Sequence, residues 1–274
     1  MTPDHITYFE QTVVMKPKPP GAAANKGPAL ETFGTSLNVA VIGASGGLGR
    51  AVVEELAGRD TVASLYAFSR TDGGIGSAKV RWHHLDLEDE ASIAEAAALA
   101  KRESGKLQLV IVATGVLHDG AGLQPEKSWR SMNGPAMEAA FRVNSIGPAL
   151  VAKHFLPLLA SDGKSVFAAL SARVGSIEDN ELGGWYAYRA SKAALNMVIK
   201  TLSIELARRN PRAICVGLHP GTVDSALSRP FQSGVPEGRL FQPAQAARAL
   251  LTVIDGLSPG DSGGLFAWDG TRAR

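Results

Sequence analysis

The sequence predicts an α/β fold: a doubly wound, mainly parallel seven-stranded sheet with helices on both faces. Three observations carry this expectation. Apolar runs of strand length alternate with helical patterns from Leu37 onward, and such alternation builds parallel sheets through right-handed helical crossovers. The runs are continuously apolar, as strands buried on both faces are. A glycine-rich turn joins the first run to the first helix.

The elements follow in order. Leu37 to Ile42 reads as the first strand, and Leu48 to Ala57 as a helix with Leu48, Val52, Val53 and Leu56 on one face. Val62 to Phe68 and Val80 to Leu85 read as the second and third strands, followed by a helix from Asp89 to Lys101. Leu107 to Ala113 is the fourth strand. A loop rich in Gly, Pro and Asn then leads to one helix over Met137 to Leu159. Ser165 to Leu170 is the fifth strand, and Trp185 to Arg209 a helix that Pro211 stops. Ala213 to Leu218 is the sixth strand, residues 222–242 are irregular, Pro243 to Ile254 is a helix and Leu265 to Trp268 the last strand. Residues 1–36 carry Pro17, Pro19, Pro20, Gly21 and Gly27 without any period, and read as a flexible or loosely docked arm outside a single domain over 37–274.

Composition narrows the function classes. With 28 basic and 26 acidic residues the net charge is +2, too balanced for a nucleic-acid or membrane surface. The one cysteine, Cys215, lies in an apolar run and permits neither an internal disulfide nor a multi-cysteine metal site. None of the six histidines has metal-ligand spacing, so no metal is expected. No apolar run reaches membrane-spanning length and the arm lacks the apolar core of a secretory signal. A cytoplasmic protein is therefore expected.

In such sheets ligands bind outside the carboxyl ends of the strands. Gly43-Ala44-Ser45-Gly46-Gly47-Leu48-Gly49 stands at the first such end, where glycine permits close ligand approach and the amides of the helix start can face a pyrophosphate. The same residues spell a G-x-S-x-G nucleophile elbow. Ser45 with the later Asp179 and His219 would make a serine hydrolase a rival reading. That elbow, however, would stand on the first strand, with no earlier strand–helix loop of the sheet to supply a second oxyanion donor.

At the end of the second strand an acidic residue would hold a ribose 2′-hydroxyl and repel a 2′-phosphate. Here the chain has Ser69-Arg70-Thr71, and a guanidinium grips phosphate through its fork of N–H donors. This favours NADP(H) over NAD. Tyr188 and Lys192 are four residues apart in a helical segment and so share a face. An ammonium beside a phenol stabilises the phenolate and lowers its pKa, a pairing suited to general acid–base catalysis. Tyr186 has Ala190 at the same spacing and no such partner.

With these motifs together, Leu37 to Gly270 resembles the short-chain dehydrogenase/reductase family, which has a Rossmann-type fold. The T-G-x-x-x-G-x-G loop of that family corresponds to Ile42 through Gly49, with Ile42 in the threonine position. Asp86 in Leu85-Asp86-Leu87 matches the adenine-contacting aspartate, Asn144 and Ser171 the catalytic asparagine and serine, and Tyr188 and Lys192 the Y-x-x-x-K pair. Pro220-Gly221-Thr222-Val223 matches the segment that passes the nicotinamide. The stretches Ser171 to Ser176 and Leu218 to Asp224 are most similar to the C-factor-like branch, with sniffer-type carbonyl reductases nearby. The family's N-N-A-G reads Val112-Ala113-Thr114-Gly115 here, so the brace that the second asparagine usually provides must come from elsewhere.

The resemblance implies hydride transfer between NADP(H) and a small-molecule carbonyl or alcohol. Tyr188 is the implied proton donor, Ser171 a hydrogen bond to the substrate oxygen, Lys192 a contact to the nicotinamide ribose, Asn144 the holder of a water, and Thr222 a contact to the carboxamide. It places the cofactor against Gly43, Ser45, Gly46, Gly47, Leu48, Gly49, Ser69, Arg70, Asp86, Leu87, Ala113, Gly115, Tyr188, Lys192, Pro220, Gly221, Thr222 and Val223. It assigns Asp224 to Gln242, with Phe231 and Phe241, to a substrate lid. Arg173, Glu178, Asp179, Asn180 and Trp185 stand in a long serine-to-tyrosine loop, as candidates for the substrate mouth or as solvated residues. It also implies a homodimer or homotetramer paired through helices 137–159 and 186–209. A dinucleotide-binding signalling protein of C-factor type, on the same fold, is the alternative.

Overall fold

The computed structural model describes residues 30–120 and 122–273. Its strands are β1 (Leu37–Ile42), β2 (Val62–Ser69), β3 (Val80–His84), β4 (Leu109–Val112), β5 (Ser165–Leu170), β6 (Ala213–His219), β7 (Thr222–Val223), β8 (Leu240–Phe241), β9 (Leu265–Ala267) and β10 (Arg272–Ala273). The α-helices are α1 (Gly47–Ala57), α2 (Glu90–Ser104), α3 (Gly134–Phe141), α4 (Gly147–Phe155), α5 (Tyr186–Arg209) and α6 (Pro243–Gly256).

The main sheet runs in the order β10-β9-β6-β5-β4-β1-β2-β3. The seven strands expected from the sequence pair in parallel, and an eighth, β10, adds antiparallel to β9. Arg272 and Ala273 are too short a stretch to signal a strand without the partner that pairs with them. Along β1, Val39 and Val41 join one core layer with α1 and α6, while Ala40 and Ile42 join the other with α2, α4 and α5. Successive strand residues point to opposite faces, so a strand between two layers is apolar throughout. Each Leu, Ile or Val fully buried this way contributes about 1.5–3 kcal/mol.

Three expectations are corrected. The single helix over Met137 to Leu159 is α3, a π-helical turn over Arg142–Ile146, α4 and a short 3-10 turn. Pro148 has no N–H and its ring would collide with the carbonyl four residues back, that of Asn144; the wider π turn accommodates it. Residues 222–242 are not irregular throughout, since β7 and β8 pair and Arg229–Gly234 forms a 3-10 turn. The expected arm ends earlier than residue 36. Leu30 is fully buried, and Thr32 bonds Asp255 at the end of α6 through its N–H (3.3 Å) and its hydroxyl (2.5 Å). The rest of the arm lies outside the described residues. No helix among the described residues is long and apolar enough to cross a membrane.

Candidate active site

The strand order reverses between β1 and β4, and there the loops at the carboxyl ends diverge and leave a crevice. Gly43, at the end of β1, has φ +82° and donates its N–H to Phe68 at 2.8 Å. A Cβ at Gly43 would meet Thr114 Cγ2 at 2.6 Å and the Ala113 carbonyl at 2.9 Å. Only glycine therefore lets the loops after β1 and β4 come this close. Gly46 caps α1 in extended geometry with no side chain over the helix start, which leaves that amide-rich end facing the crevice. A cavity of about 450 Å3 opens here, walled by Gly46, Gly47, Leu48, Ala113, Gly115, Ser171, Tyr188, Lys192 and Pro220 to Val223.

Helix α5 brings Tyr188 and Lys192 to this cavity on one face, and β5 delivers Ser171 at its carboxyl end. The Lys192 ammonium lies 5.9 Å from the Tyr188 ring centre and donates to the Leu170 carbonyl at 2.9 Å. Gly115 passes close by: a Cβ there would come 3.4 Å from Lys192 Nζ and 3.5 Å from Asn144 Oδ1. Asn144 is fully buried in the π turn. Its side chain accepts from the Val116 N–H (2.8 Å) and donates to the Val116 carbonyl (2.8 Å) and Ser191 Oγ (3.0 Å). It thus ties the loop after β4 to α5, in the region where the family's second asparagine is missing.

Two partners had escaped the sequence reading. Ser171 Oγ donates to Asn196 Oδ1 at 2.6 Å, and Ser191 links Asn144 to the Tyr188 carbonyl, which it reaches at 2.8 Å. Asn196 is one turn beyond Lys192 and two beyond Tyr188, so the helical period that paired those two could also have found it.

The electrostatics correct one expectation. Burial pushes the Tyr188 phenol up to about 12 and the Lys192 ammonium down to about 7. In the protein alone, the cost of removing water from both groups outweighs the attraction between ammonium and phenolate. His219 lines the same cavity, and burial together with the Arg173 charge lowers it to about 4, against an opposing pull from Asp269. Its Nδ1 is buried without a partner among the described residues. Asp179 is instead paired with Arg173 at 3.0 Å. The hydrogen bond that a Ser45–His219–Asp179 triad needs between acid and histidine is absent, which overturns the hydrolase reading.

The residues expected at the adenine end lie beyond the cavity, at the ends of β2 and β3. Arg70 is exposed and makes no ion pair among the described residues. Beside it the buried Ser69 hydroxyl donates to the Thr71 carbonyl. Asp86 accepts from the Glu88 N–H at 3.0 Å, and Leu87 packs against Gly147. Ser45 is exposed on the glycine loop. In the lid, Phe231 faces the cavity, but Phe241 turns away and packs on Trp268 at 4.6 Å between ring centres. Of the five long-loop candidates Trp185 lines the cavity, together with Ala172 and Val174 of the same loop, whereas Arg173, Glu178, Asp179 and Asn180 are exposed.

Trp185 is held in a left-handed backbone conformation, φ 52° and ψ 44°, just before α5. For a bulky residue this costs on the order of 1–3 kcal/mol. Glu126 holds it there. The Glu126 carbonyl accepts the Trp185 N–H at 2.6 Å, and its carboxylate accepts the Ala187 N–H at 3.2 and 3.3 Å. Glu126 is only 4% exposed, and its carboxylate sits at the positive end of α5.

Comparison with known proteins identifies the family and the fold. The family model for short chain dehydrogenase matches residues 37–235. C-signal of Myxococcus xanthus is 39% identical over 136 residues, covering 50% of this chain and 76% of that protein. The carbonyl reductase Sniffer of Drosophila melanogaster superposes with a TM-score of 0.76 at 23% identity, covering 86% of this chain and 98% of its own. An NADPH-bound carbonyl reductase from chicken fatty liver does so with 0.75 at 26% identity, covering 90% and 96%. With the family model matched across the strands and loops that build the cavity, the chain belongs to the short-chain dehydrogenase family of oxidoreductases.

Proposed function

We propose that the protein is an NADP(H)-dependent reductase that interconverts a carbonyl compound and its alcohol, with Tyr188 as general acid and base. The convergence of Ser171, Tyr188 and Lys192 on one cavity with the glycine loop carries this reading. The cavity suits a nicotinamide. Gly115 leaves space that a Cβ would fill against Lys192, and Thr114 Oγ1 and His219 Nδ1 are buried polar atoms without partners. The exposed Arg70 suits a 2′-phosphate, as does the bound NADPH of the chicken carbonyl reductase.

When bound, the dinucleotide would supply the hydride. Tyr188 gives its proton to the oxygen as charge grows there, and Ser171 hydrogen-bonds the same oxygen, so both donors act where the transition state needs them. Lys192 would hold the nicotinamide ribose, and Thr222, at the start of β7, would hold the carboxamide. The Asn144 side chain is committed to Val116 and Ser191. Its main-chain carbonyl, to which Pro148 offers no N–H, is the atom that would hold a relay water. Tyr188 keeps its proton at neutral pH, the form that reduction requires. Exposed Ile146, Met197 and Ile204 support pairing of these helices between subunits.

Tyr188→Phe should lower NADPH-dependent turnover by at least about 100-fold, the scale of a lost general acid. NADPH affinity, followed by cofactor fluorescence, should stay within about threefold. A variant with wild-type turnover would sink the mechanism. The likeness to C-signal favours one second reading, a dinucleotide-binding signalling protein. NADPH binding without turnover across a broad panel of aldehydes, ketones and quinones would select it.

A further inference from the structure

Three segments bring aromatic rings to one wall of the cavity. Trp185 comes from the turn before α5, Phe231 from the 3-10 turn of the lid, and His118 from the loop after β4. The Trp185 and Phe231 centroids are 5.3 Å apart, His118 stands edge-on to Phe231 at 5.7 Å, and Trp185 stands edge-on to Tyr188 at 6.2 Å. His118 Nε2 also reaches the Ala226 carbonyl at 3.1 Å, which joins the two loops across the mouth. Gly183, Gly184 and Trp185 are three consecutive left-handed residues, with φ of 65°, 63° and 52°. A glycine would hold the third position without strain. The chain puts a tryptophan there, and the buried Glu126 grips the residue on both sides of the turn. Among the described residues Lys192 is the one Lys, Arg, Asp or Glu lining the cavity, and its ammonium is turned to Leu170. A carboxylate or phosphate against the aromatic wall would lose its water and find no lysine or arginine there to offset the loss.

We propose that Trp185, locked in place by Glu126, is the specificity-determining residue of this site, and that with Phe231 it selects carbonyl compounds carrying a flat, uncharged ring. Glu126 is the positioning residue for this wall. The inference rests on the carbonyl reduction proposed above, in which each turnover oxidises one NADPH and adds its hydride and the Tyr188 proton across the C=O bond.

The test compares acetophenone with methyl hexyl ketone, which has the same number of non-hydrogen atoms and no ring, and with para-acetylbenzoate, which adds a charge. The wild type should favour acetophenone over the alkyl ketone in kcat/KM by about tenfold, the scale of one or two ring–ring contacts, and should reject the benzoate. Trp185→Leu should bring the ratio close to one by lowering kcat/KM for acetophenone more than for the alkyl ketone. Trp185→Phe should preserve the ratio. Glu126→Leu should lose it, and Glu126→Gln, which keeps an acceptor oxygen for Ala187, should retain it. A merely structural role would lower both ketones together and leave the ratio unchanged, and that result overturns the proposal, as does turnover of the benzoate equal to that of acetophenone. If the wild type reduces neither ketone, the reading of the reaction fails separately. The wall is then judged by titrating the same two ketones into the NADP+-loaded protein, where equal affinities would refute it.

Discussion

At the scale of the residue, Lys192 shows how burial sets chemistry. Its ammonium is lowered to about 7 because the surrounding protein removes its water. The unfolded chain holds that proton up to about 10.4. Between these values the unfolded state binds more protons than the folded one, so stability rises with pH across the window and is lost as pH falls through about 7. Urea melts of the cofactor-free protein should show a gain of about 2 kcal/mol from about pH 7 to about pH 9. Lys192→Met should show no such gain; an identical slope in the two proteins would mean that Lys192 is not the group responsible. Tyr188 and Cys215, both pushed up to about 12 by burial, act the other way once the unfolded chain's phenol and thiol ionise, and because both proteins carry them the comparison isolates Lys192. The sequence showed the Tyr188–Lys192 spacing. It could not show the sign of the phenol's shift, because that depends on how much water the folded protein removes.

At the scale of the element, the glycine loop and the end of β2 read well from the sequence because their chemistry is local. A tight strand-to-helix turn needs glycine, and the loop after β2 presents its side chains without help from distant residues. Arg50 of α1 steadies that loop by donating to the Gly73 carbonyl at 2.8 Å, which leaves Arg70 exposed beside it. Arg70→Asp should lower the ratio of kcat/KM with NADPH to that with NADH by at least about tenfold, since it replaces a phosphate-gripping guanidinium with a charge that repels phosphate. Initial rates with the two cofactors decide it, and an unchanged ratio would remove Arg70 from the site. The helices after β4 read less well. The pattern over 137–159 suggested one helix, and the π turn around Asn144 stands just before Pro148. Its effect on the helix register is a backbone matter to which hydrophobic periodicity is blind.

For the whole molecule, seven parallel strands were legible because a strand covered on both faces must be apolar throughout. The docking of residues 30–36 was not. A segment of seven residues is too short to show a periodicity that would reveal Leu30 packing in the core layer of α1 and α6. Lys164 adds to this clasp, donating to the Asp255 carbonyl at 2.6 Å and to Thr32 Oγ1 at 3.0 Å, with its ammonium 4.7 Å from the Phe33 ring centre. Leu30→Ala should cost about 2–4 kcal/mol in chemical denaturation, the usual range for truncating a fully buried leucine. A loss below about 0.5 kcal/mol, the level of an ordinary surface change, would show that this segment does not belong to the core.

The sequence by itself determined the class of fold, the order of its strands and helices, and the positions of Asn144, Ser171, Tyr188 and Lys192 along them. The elements follow from hydrophobic period and the Tyr188–Lys192 pair from spacing within one helix, while Asn144 and Ser171 were singled out by the family resemblance. Only the tertiary structure decided what surrounds them. It paired Ser171 with Asn196, committed the Asn144 side chain to Val116, turned Phe241 away from the cavity, and set Trp185 against Phe231 under the hold of Glu126. Glu126 and Trp185 are far apart in the chain and meet only when the loop after β4 packs on α5. Contacts between residues so distant in sequence come from packing, and leave no period in the sequence to read.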